Sequence, residues 1–291
     1  MKLALHVFNL SWPGGPAVIA PTLRAIARAA DQGGFATLTL MDHYFQMEDQ
    51  GGPAEPMIEG YTGLGFLAGQ TTQIELGLLV GGVTYRHPGL LAKIVTTLDV
   101  LSEGRAMLGL GAAWYDREHY GLGVPFPPLT ERYRRLEETL AICKQMWSTN
   151  DGPYTGSYYQ LAETICVPQP IRAPRIPILI GGGGERQTLR IVANQADACN
   201  LFPGEIAQIR HKLDVLDQHC TNAGRNPAEI ERTMFAPSDP LDDINAFLRT
   251  METYAALGIS KVWTGPPTDG RDPVRWVNEV CEKVIPRLHN V

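Results

Sequence analysis

The chain contains no apolar run approaching the roughly 20 residues of a membrane span, and its opening residues Lys2 to Phe8 form too short a stretch for a signal-peptide core and lack a small-residue cleavage site. A cytoplasmic protein with no membrane partner is expected. CxxC pairs are also missing: Cys143, Cys166, Cys199, Cys220 and Cys281 are scattered, which suits buried thiols in a reducing compartment better than disulfides or zinc. No HExxH motif or paired His/Asp spacing supports a metal site. Positive charge is in deficit, and a net charge of −6 argues against a phosphate-backbone partner, so nucleic acid is not expected. No repeat, low-complexity tract or linker divides the chain. With 291 residues, 44% of them hydrophobic, it can bury a large core, and residues 1–291 read as one domain.

What is present is an alternation of strand-length apolar runs with amphipathic stretches of helix length, the pattern of βα units and a parallel sheet. Eight strands are predicted, at 3–8, 36–41, 74–80, 106–111, 177–181, 197–202, 230–235 and 261–264. In 88–101, Pro88 opens a helix in which Leu90, Leu91, Ile94, Leu98 and Leu101 form one buried stripe. Leu136, Leu140, Cys143 and Trp147 line one face of 131–148. Eight such units match an α/β fold of the (β/α)8 TIM-barrel type, with loop insertions, better than an open doubly wound sheet.

In such a barrel the loops after the strands make the active face. Strand two ends in Met41-Asp42-His43-Tyr44-Phe45, strand three in Val80-Gly81-Gly82-Val83, and strand four in Gly109-Leu110-Gly111-Ala112-Ala113-Trp114. Strand five runs into Gly181-Gly182-Gly183-Gly184-Glu185-Arg186. Residues without Cβ let backbone amides turn toward a phosphate-sized anion at a helix start; alternatively, the glycines only make a tight turn. The run is neither a Walker loop nor a GxGxxG fingerprint. The common phosphate site of these barrels follows strands seven and eight, so a loop of this kind after strand five is unusual.

These ends, with Thr84 to Lys93, Leu98 to Arg105, Leu108 to Trp114 and Ile180 to Arg186, resemble the luciferase-like monooxygenase family over nearly the whole chain. That family consists of bacterial luciferase-type barrels that bind FMN or the deazaflavin coenzyme F420. Met41 to Gln46 together with Gly181 to Arg186 look most like an F420-dependent branch. The resemblance implies that Asp42 and His43 face the central ring, and that a bulge near Leu79, Val80 and Gly81, often with a non-proline cis peptide, supports one face of it. Gly181, Gly182, Gly183 and Gly184, with the amides of Glu185 and Arg186, correspond to the phosphate cradle. Asn200 and Phe202 lie beside it, and Gly111, Ala112 and Trp114 border the same pocket. Trp114 either stacks on a cofactor ring or packs in a lid. A homodimer is implied as well.

Some residues depart from the pattern. Sugar-phosphate dehydrogenase members carry a glutamate at Ala112 and an asparagine near Tyr115, and use lysines of which none is found after strand six, so glucose 6-phosphate is not the expected substrate. The loop Trp114 to Tyr120 suits a flat organic substrate or the tail of the cofactor.

A deazaflavin supports hydride transfer, which leaves the protein placement and proton handling. His43 is the expected catalytic proton partner and Asp42 its orienting or ring-contacting acid. The duller alternative is that both only bond loop backbone. His6 reads as core or pocket floor, His87 as a surface or capping residue, and His211, His219 and His289 as solvated helix positions. Gly104-Arg105 should end a helix and form a salt bridge on the bottom face. Segment 151–175 should pack there too, while 44–60 should rim the pocket as a lid. The expected function is F420-dependent hydride transfer to or from a small organic substrate. The alternatives are an FMN-dependent monooxygenase, a cofactor-free isomerase or aldolase, and a noncatalytic cofactor-binding protein. A Schiff-base aldolase would want a lysine at a strand end, yet Lys93, Lys144 and Lys212 read as helical and Lys261 begins strand eight.

Overall fold

The apolar runs pair in parallel in the computed structural model, which describes residues 1–288 and 291. In chain order the elements are β1 (Lys2–Val7), α1 (Pro16–Gly33), β2 (Thr37–Leu40), α2 (Gly60–Ala68), β3 (Glu75–Leu78), α3 (Pro88–Leu101), β4 (Ala106–Gly111), α4 (Asp116–Leu122) and α5 (Leu129–Met146). They continue with β5 (Ile178–Gly181), α6 (Thr188–Gln195), β6 (Ala198–Leu201), α7 (Ile206–Ala223), β7 (Glu231–Phe235), α8 (Ile244–Ala256), β8 (Lys261–Thr264), α9 (Pro273–Lys283) and α10 (Ile285–Leu288). Strands neighbour one another in the order β3-β2-β1-β8-β7-β6-β5-β4, and β3 also pairs with β4, so the sheet closes into the expected (β/α)8 barrel. Each predicted strand is present, 106–111 and 261–264 with the predicted bounds and the other six with ends slightly shifted. Two additions are small: Gly81–Gly82 extends the third strand beside Leu110 and Gly111, and Tyr154–Thr155 pairs with Gln160–Leu161 in a hairpin that lies against α5 and the start of α3. Among the described residues, no helix is long and apolar enough to cross a membrane.

The period of two along each strand divides the core. Leu3, Leu5, Leu38, Leu76 and Leu108 face the helices, while Ala4, Leu79, Met107, Leu179, Ala198 and Trp263 form a separate cluster inside the barrel. Trp263 is opposite Ala4 in register on β1, and its Nε1 donates to Thr233 Oγ1 at 3.1 Å. Helix starts follow local chemistry. Asp272 accepts from Arg275 N at 2.8 Å with Pro273 in the first turn, and Asp243 accepts from Ala246 N at 2.9 Å. His87 caps α3, its Nδ1 accepting from Gly89 N at 3.3 Å.

Two sequence expectations need correction. In α3 the buried row is Leu91, Val95 and Leu98, flanked by Ala92 and Asp99, whereas Leu90 and Leu101 are 65% and 63% exposed. The helix is wedged against α2, α5 and β4, which selects the face one position round from the predicted stripe. Arg105 makes no salt bridge among the described residues. Its guanidinium instead donates to the carbonyls of Ala68, Thr71, Ile74 and Ser102 and to Thr71 Oγ1, at 2.7–3.1 Å, stapling the turn after α2 to the start of β4. Gly104, at φ +86°, makes the turn before it. Of segment 151–175, the later part packs at this end, where Asp99 Oδ2 accepts from Ile171 N at 2.7 Å, whereas Tyr159 reaches His87 at the start of α3, away from the expected bottom face.

Arg105→Met should therefore strand several carbonyls and lower stability by about 3 kcal/mol. Urea unfolding would show this as a lower midpoint at unchanged slope.

Candidate active site

Asp42 and His43 follow β2 directly, and their side chains part company. The buried Asp42 carboxylate receives both ends of the Arg86 guanidinium, Nη1 to Oδ2 at 2.7 Å and Nη2 to Oδ1 at 2.8 Å, and Oδ2 also accepts from Gly82 N at 2.9 Å. Arg86 extends to Glu59 Oε1 at 2.5 Å and lies 4.8 Å over the Tyr61 ring. Burial alone would lower the Arg86 pKa, but bonding to Asp42 pushes it above its ordinary value. Asp42 thus clamps the end of the third strand to the second, and it is not the acid bonded to His43.

That acid is Glu118, from α4. Its fully buried carboxylate accepts from His43 Nδ1 at 2.6 Å and from the Tyr85 hydroxyl on Oε1, and from the amides of Tyr44 and Phe45 on Oε2 at 2.6 and 3.1 Å. Burial pushes its pKa up, but the donors, His43 first, hold it below the usual carboxylate value. An ionised carboxylate only accepts, so His43 Nδ1 carries the proton and, in the neutral ring, Nε2 is bare. Sequence reading missed Glu118. Its one signal was the density of titratable groups between Trp114 and Tyr120.

The His43 ring meets Trp114 edgewise at 5.6 Å and Tyr115 at 5.7 Å. Trp114 is 62% exposed at the rim. His6, rising inside the barrel from β1, bonds Thr39 Oγ1 at 2.9 Å and touches Phe235 at 5.6 Å, and Phe235 stacks on the exposed Phe202 at 5.8 Å. The bulge at strand three is present, with a cis peptide between Leu79 and Val80. Val80 presses against three strand positions that lack side chains: a Cβ on Gly181, Gly111 or Gly109 would lie 2.8, 3.0 or 3.4 Å from its methyls. Ala112 and Ala113 turn their carbonyls to Arg132 Nη1 at 3.1 and 2.5 Å.

Beyond Gly181 the chain enters an open groove of about 440 Å³, bordered by Gly183, Gly184, Glu185, Arg186, Tyr133 and Lys212. Gly182 adopts φ +113° and donates to the Asn200 carbonyl at 3.0 Å, while Asn200 Oδ1 accepts from Thr233 Oγ1 at 2.9 Å. A Cβ on Gly184 would sit 2.8 Å from Thr188 Oγ1, so the backbone approaches the groove only as glycine. Among the described residues, the amides of Gly183, Gly184, Glu185 and Arg186 meet no protein acceptor. Lys212 Nζ donates to the Gly183 carbonyl at 2.8 Å and lies 3.4 Å from Glu185 Oε1. A lysine after strand six therefore does reach the cradle, contrary to expectation, because α7 packs beside α6 and turns Lys212 to the loop after β5. His219 is half-buried, not solvated, and bonds the Glu185 carbonyl at 2.8 Å. His211 is exposed as expected, and His289 lies outside the described residues.

The family model described as luciferase-like monooxygenase matches residues 3–273. The chain belongs to the luciferase-like monooxygenase family. Over 269 residues it is 28% identical to the F420-dependent glucose-6-phosphate dehydrogenase of Kineococcus radiotolerans, covering 91% of this chain and 78% of that one. Among solved structures, this luciferase-like barrel is similar to the F420-dependent tetrahydromethanopterin reductase of Methanopyrus kandleri, with TM-score 0.79, 17% identity and coverage of 99% and 100%. It also resembles the oxygenating constituent of 3,6-diketocamphane monooxygenase from Pseudomonas putida in complex with FMN, with TM-score 0.73, 16% identity and coverage of 99% and 98%. At these identities the structural likeness carries the fold.

Burial, and secondly the charge of His43, press the His6 pKa down from 6.5 to about 3. The unfolded chain then binds a proton that the folded one refuses between those values, so this contribution to stability is full above pH 6.5 and falls away as pH drops toward 3. His6→Gln should flatten the acid limb of the stability–pH curve, measured by denaturant unfolding at stepped pH.

Proposed function

We propose that this chain is an F420-dependent oxidoreductase that moves a hydride between the deazaflavin and a small organic substrate, with His43 as the proton-handling group. The observation that carries this reading is the His43–Glu118 pair, a buried dyad at the barrel end that also holds the glycine groove. Because Glu118 keeps the proton on Nδ1, His43 Nε2 can take the proton of a substrate hydroxyl or, as imidazolium, return it to a carbonyl. Glu118 orients the ring and stabilises its cationic form. Asp42 holds the bulge in place through Arg86 and Gly82 N.

The residues fit the cofactor. The free amides from Gly183 to Arg186, with Lys212, suit a phosphate, and Gly183 and Gly184 leave the space that a Cβ would fill. Leu79, Val80 and Gly81 would support the ring face, and Gly111, Ala112, Asn200 and the rim aromatics Trp114 and Phe202 would border it. Bound F420 would supply a carbon that accepts or gives two electrons as hydride, in place of the ring nitrogen that lets a flavin react readily with oxygen. The naming of F420 in the sequence relatives supports that cofactor over FMN, whose phosphate the cradle would also take.

Fluorescence titration of purified apoprotein with F420 and, separately, FMN tests this. Micromolar F420 binding with weaker FMN binding is expected. Gly183→Asp should abolish binding without changing thermal unfolding, whereas His43→Ala should keep F420 affinity but slow hydride transfer by about 10²–10⁴-fold. Preference for FMN would move the assignment to oxygen chemistry, and an unaffected Gly183→Asp protein would remove the cradle.

A further inference from the structure

The charges at the C-terminal end of the barrel define a substrate class. Apart from the glycine loop, the segments that follow the strands carry Arg86, Arg117 and Arg271, each already held by carboxylates, while Arg132 on α5 is buried and turned to the Ala112 and Ala113 carbonyls. Arg86 lies between Asp42 and Glu59, and Arg117 is 2.5 Å from Glu48. Arg271 is enclosed by three acids: Asp269 at 2.8 Å, Asp239 at 2.9 Å and Asp242 at 3.6 Å. This last cluster spans the loops after β7 and β8, where barrels of this kind commonly keep a phosphate site. Here one cation faces three carboxylates, and Asp239 is fixed further by Trp276 Nε1 at 3.0 Å. Outside the glycine loop, a substrate phosphate or carboxylate would meet, among the described residues of these loops, exposed or half-buried arginines that are each already paired with acids.

The same end exposes large apolar surface. Trp114 is 62% and Phe202 64% exposed, yet each is seated against a residue of the inner pocket, Trp114 against His43 and Phe202 against Phe235. Flat, rigid side chains of this kind bind rings at low entropic cost. Resting on the function proposed above, we infer that the substrate is an uncharged, ring-bearing alcohol, interconverted with its ketone, and not a sugar phosphate or another anion. The step balances. The carbinol C–H bond breaks and its electron pair leaves as hydride to the oxidised deazaflavin, the O–H proton passes to His43 Nε2, and the C=O bond forms. Reduction of the ketone runs the same path backwards from the reduced cofactor.

The experiment uses four probes: 1-phenylethanol, which is neutral; mandelate, an anion; 1-phenylethylamine, a cation; and glucose 6-phosphate. F420 loading is measured first and reports on the cofactor assignment alone. Binding of each probe is then followed by calorimetry on both the loaded and the cofactor-free protein, so the mouth is read even where loading fails. The neutral ring should bind at least about tenfold tighter than mandelate or the amine, with little dependence on salt, and glucose 6-phosphate no better than glucose. Trp114→Ala and Phe202→Ala should each weaken 1-phenylethanol by about tenfold, more than they weaken F420. The double variant Asp239→Asn with Asp269→Asn frees Arg271 and should strengthen mandelate binding severalfold. Glucose 6-phosphate or mandelate binding as tightly as the neutral ring would overturn the inference. So would a lack of saturation by 1-phenylethanol, or indifference of its affinity to both aromatic substitutions.

Discussion

A carboxylate sealed from water must be given donors, and at Glu118 that requirement organises the whole catalytic face. An ionised acid without partners in a dry interior would cost several kcal/mol, enough to protonate the group or expel it from the core. Glu118 stays charged because its donors come from separate parts of the chain: the His43 ring and the amides of Tyr44 and Phe45 after β2, and the Tyr85 hydroxyl after β3. Helix α4, inserted between β4 and the larger α5, exists in the right place to present it. One anion therefore fixes the relative positions of three loops and, as a by-product of its own desolvation, the tautomer of His43. Under the function proposed above, structural need and chemical use would coincide at the same atom pair.

The second constraint is volume. Val80 occupies the centre of the barrel mouth only because β4 and β5 offer glycine at positions 109, 111 and 181, where any side chain would meet its methyls. Gly109 is doubly confined, since a Cβ there would collide with the Leu78 carbonyl. The close approach brings the apolar bulge of the third strand into contact with the strand that leads into the glycine groove. The region that would support a ring and the region that would hold a phosphate are thus parts of one packing unit, and neither can shift alone.

The architecture was legible in the sequence because strand-length stretches rich in apolar residues alternate with amphipathic stretches of helix length, and a closed parallel barrel is the natural way to bury eight such units. The glycine loop was legible too, as local composition. The partner of His43 was not. Asp42 is adjacent to it in sequence, but consecutive residues of an extended segment point to opposite sides, so adjacency was evidence against the pairing. The true partner lies 75 residues away on another element. Lys212 was hidden for the same reason: its helical setting is local, whereas its reach to Gly183, 29 residues earlier, depends on how α7 packs beside α6. In α3 the apolar pattern was wide enough to allow two faces, and only the neighbours α2 and α5 selected the one containing Leu91 and Leu98 rather than Leu90 and Leu101.

Charge is paired at both ends of the barrel, but with different consequences. At the bottom, the buried Lys261 ammonium lies 2.9 Å from Glu231 and 3.7 Å from Glu75, closing the interior with a cluster remote from His43. Such buried pairs give little net stability and mainly fix geometry. At the top, pairing has a chemical effect. With Asp42 neutralised by Arg86, and Arg271 by its three acids, Glu118 is the one carboxylate bonded to His43. The Nδ1 proton of His43 is then directed at that single acceptor, and, under the inference above, a neutral alcohol and its ketone would meet nearly the same electrostatic surroundings. An enzyme working reversibly between two uncharged molecules needs that balance, because a site biased toward an anion would hold one end of the reaction and release the other.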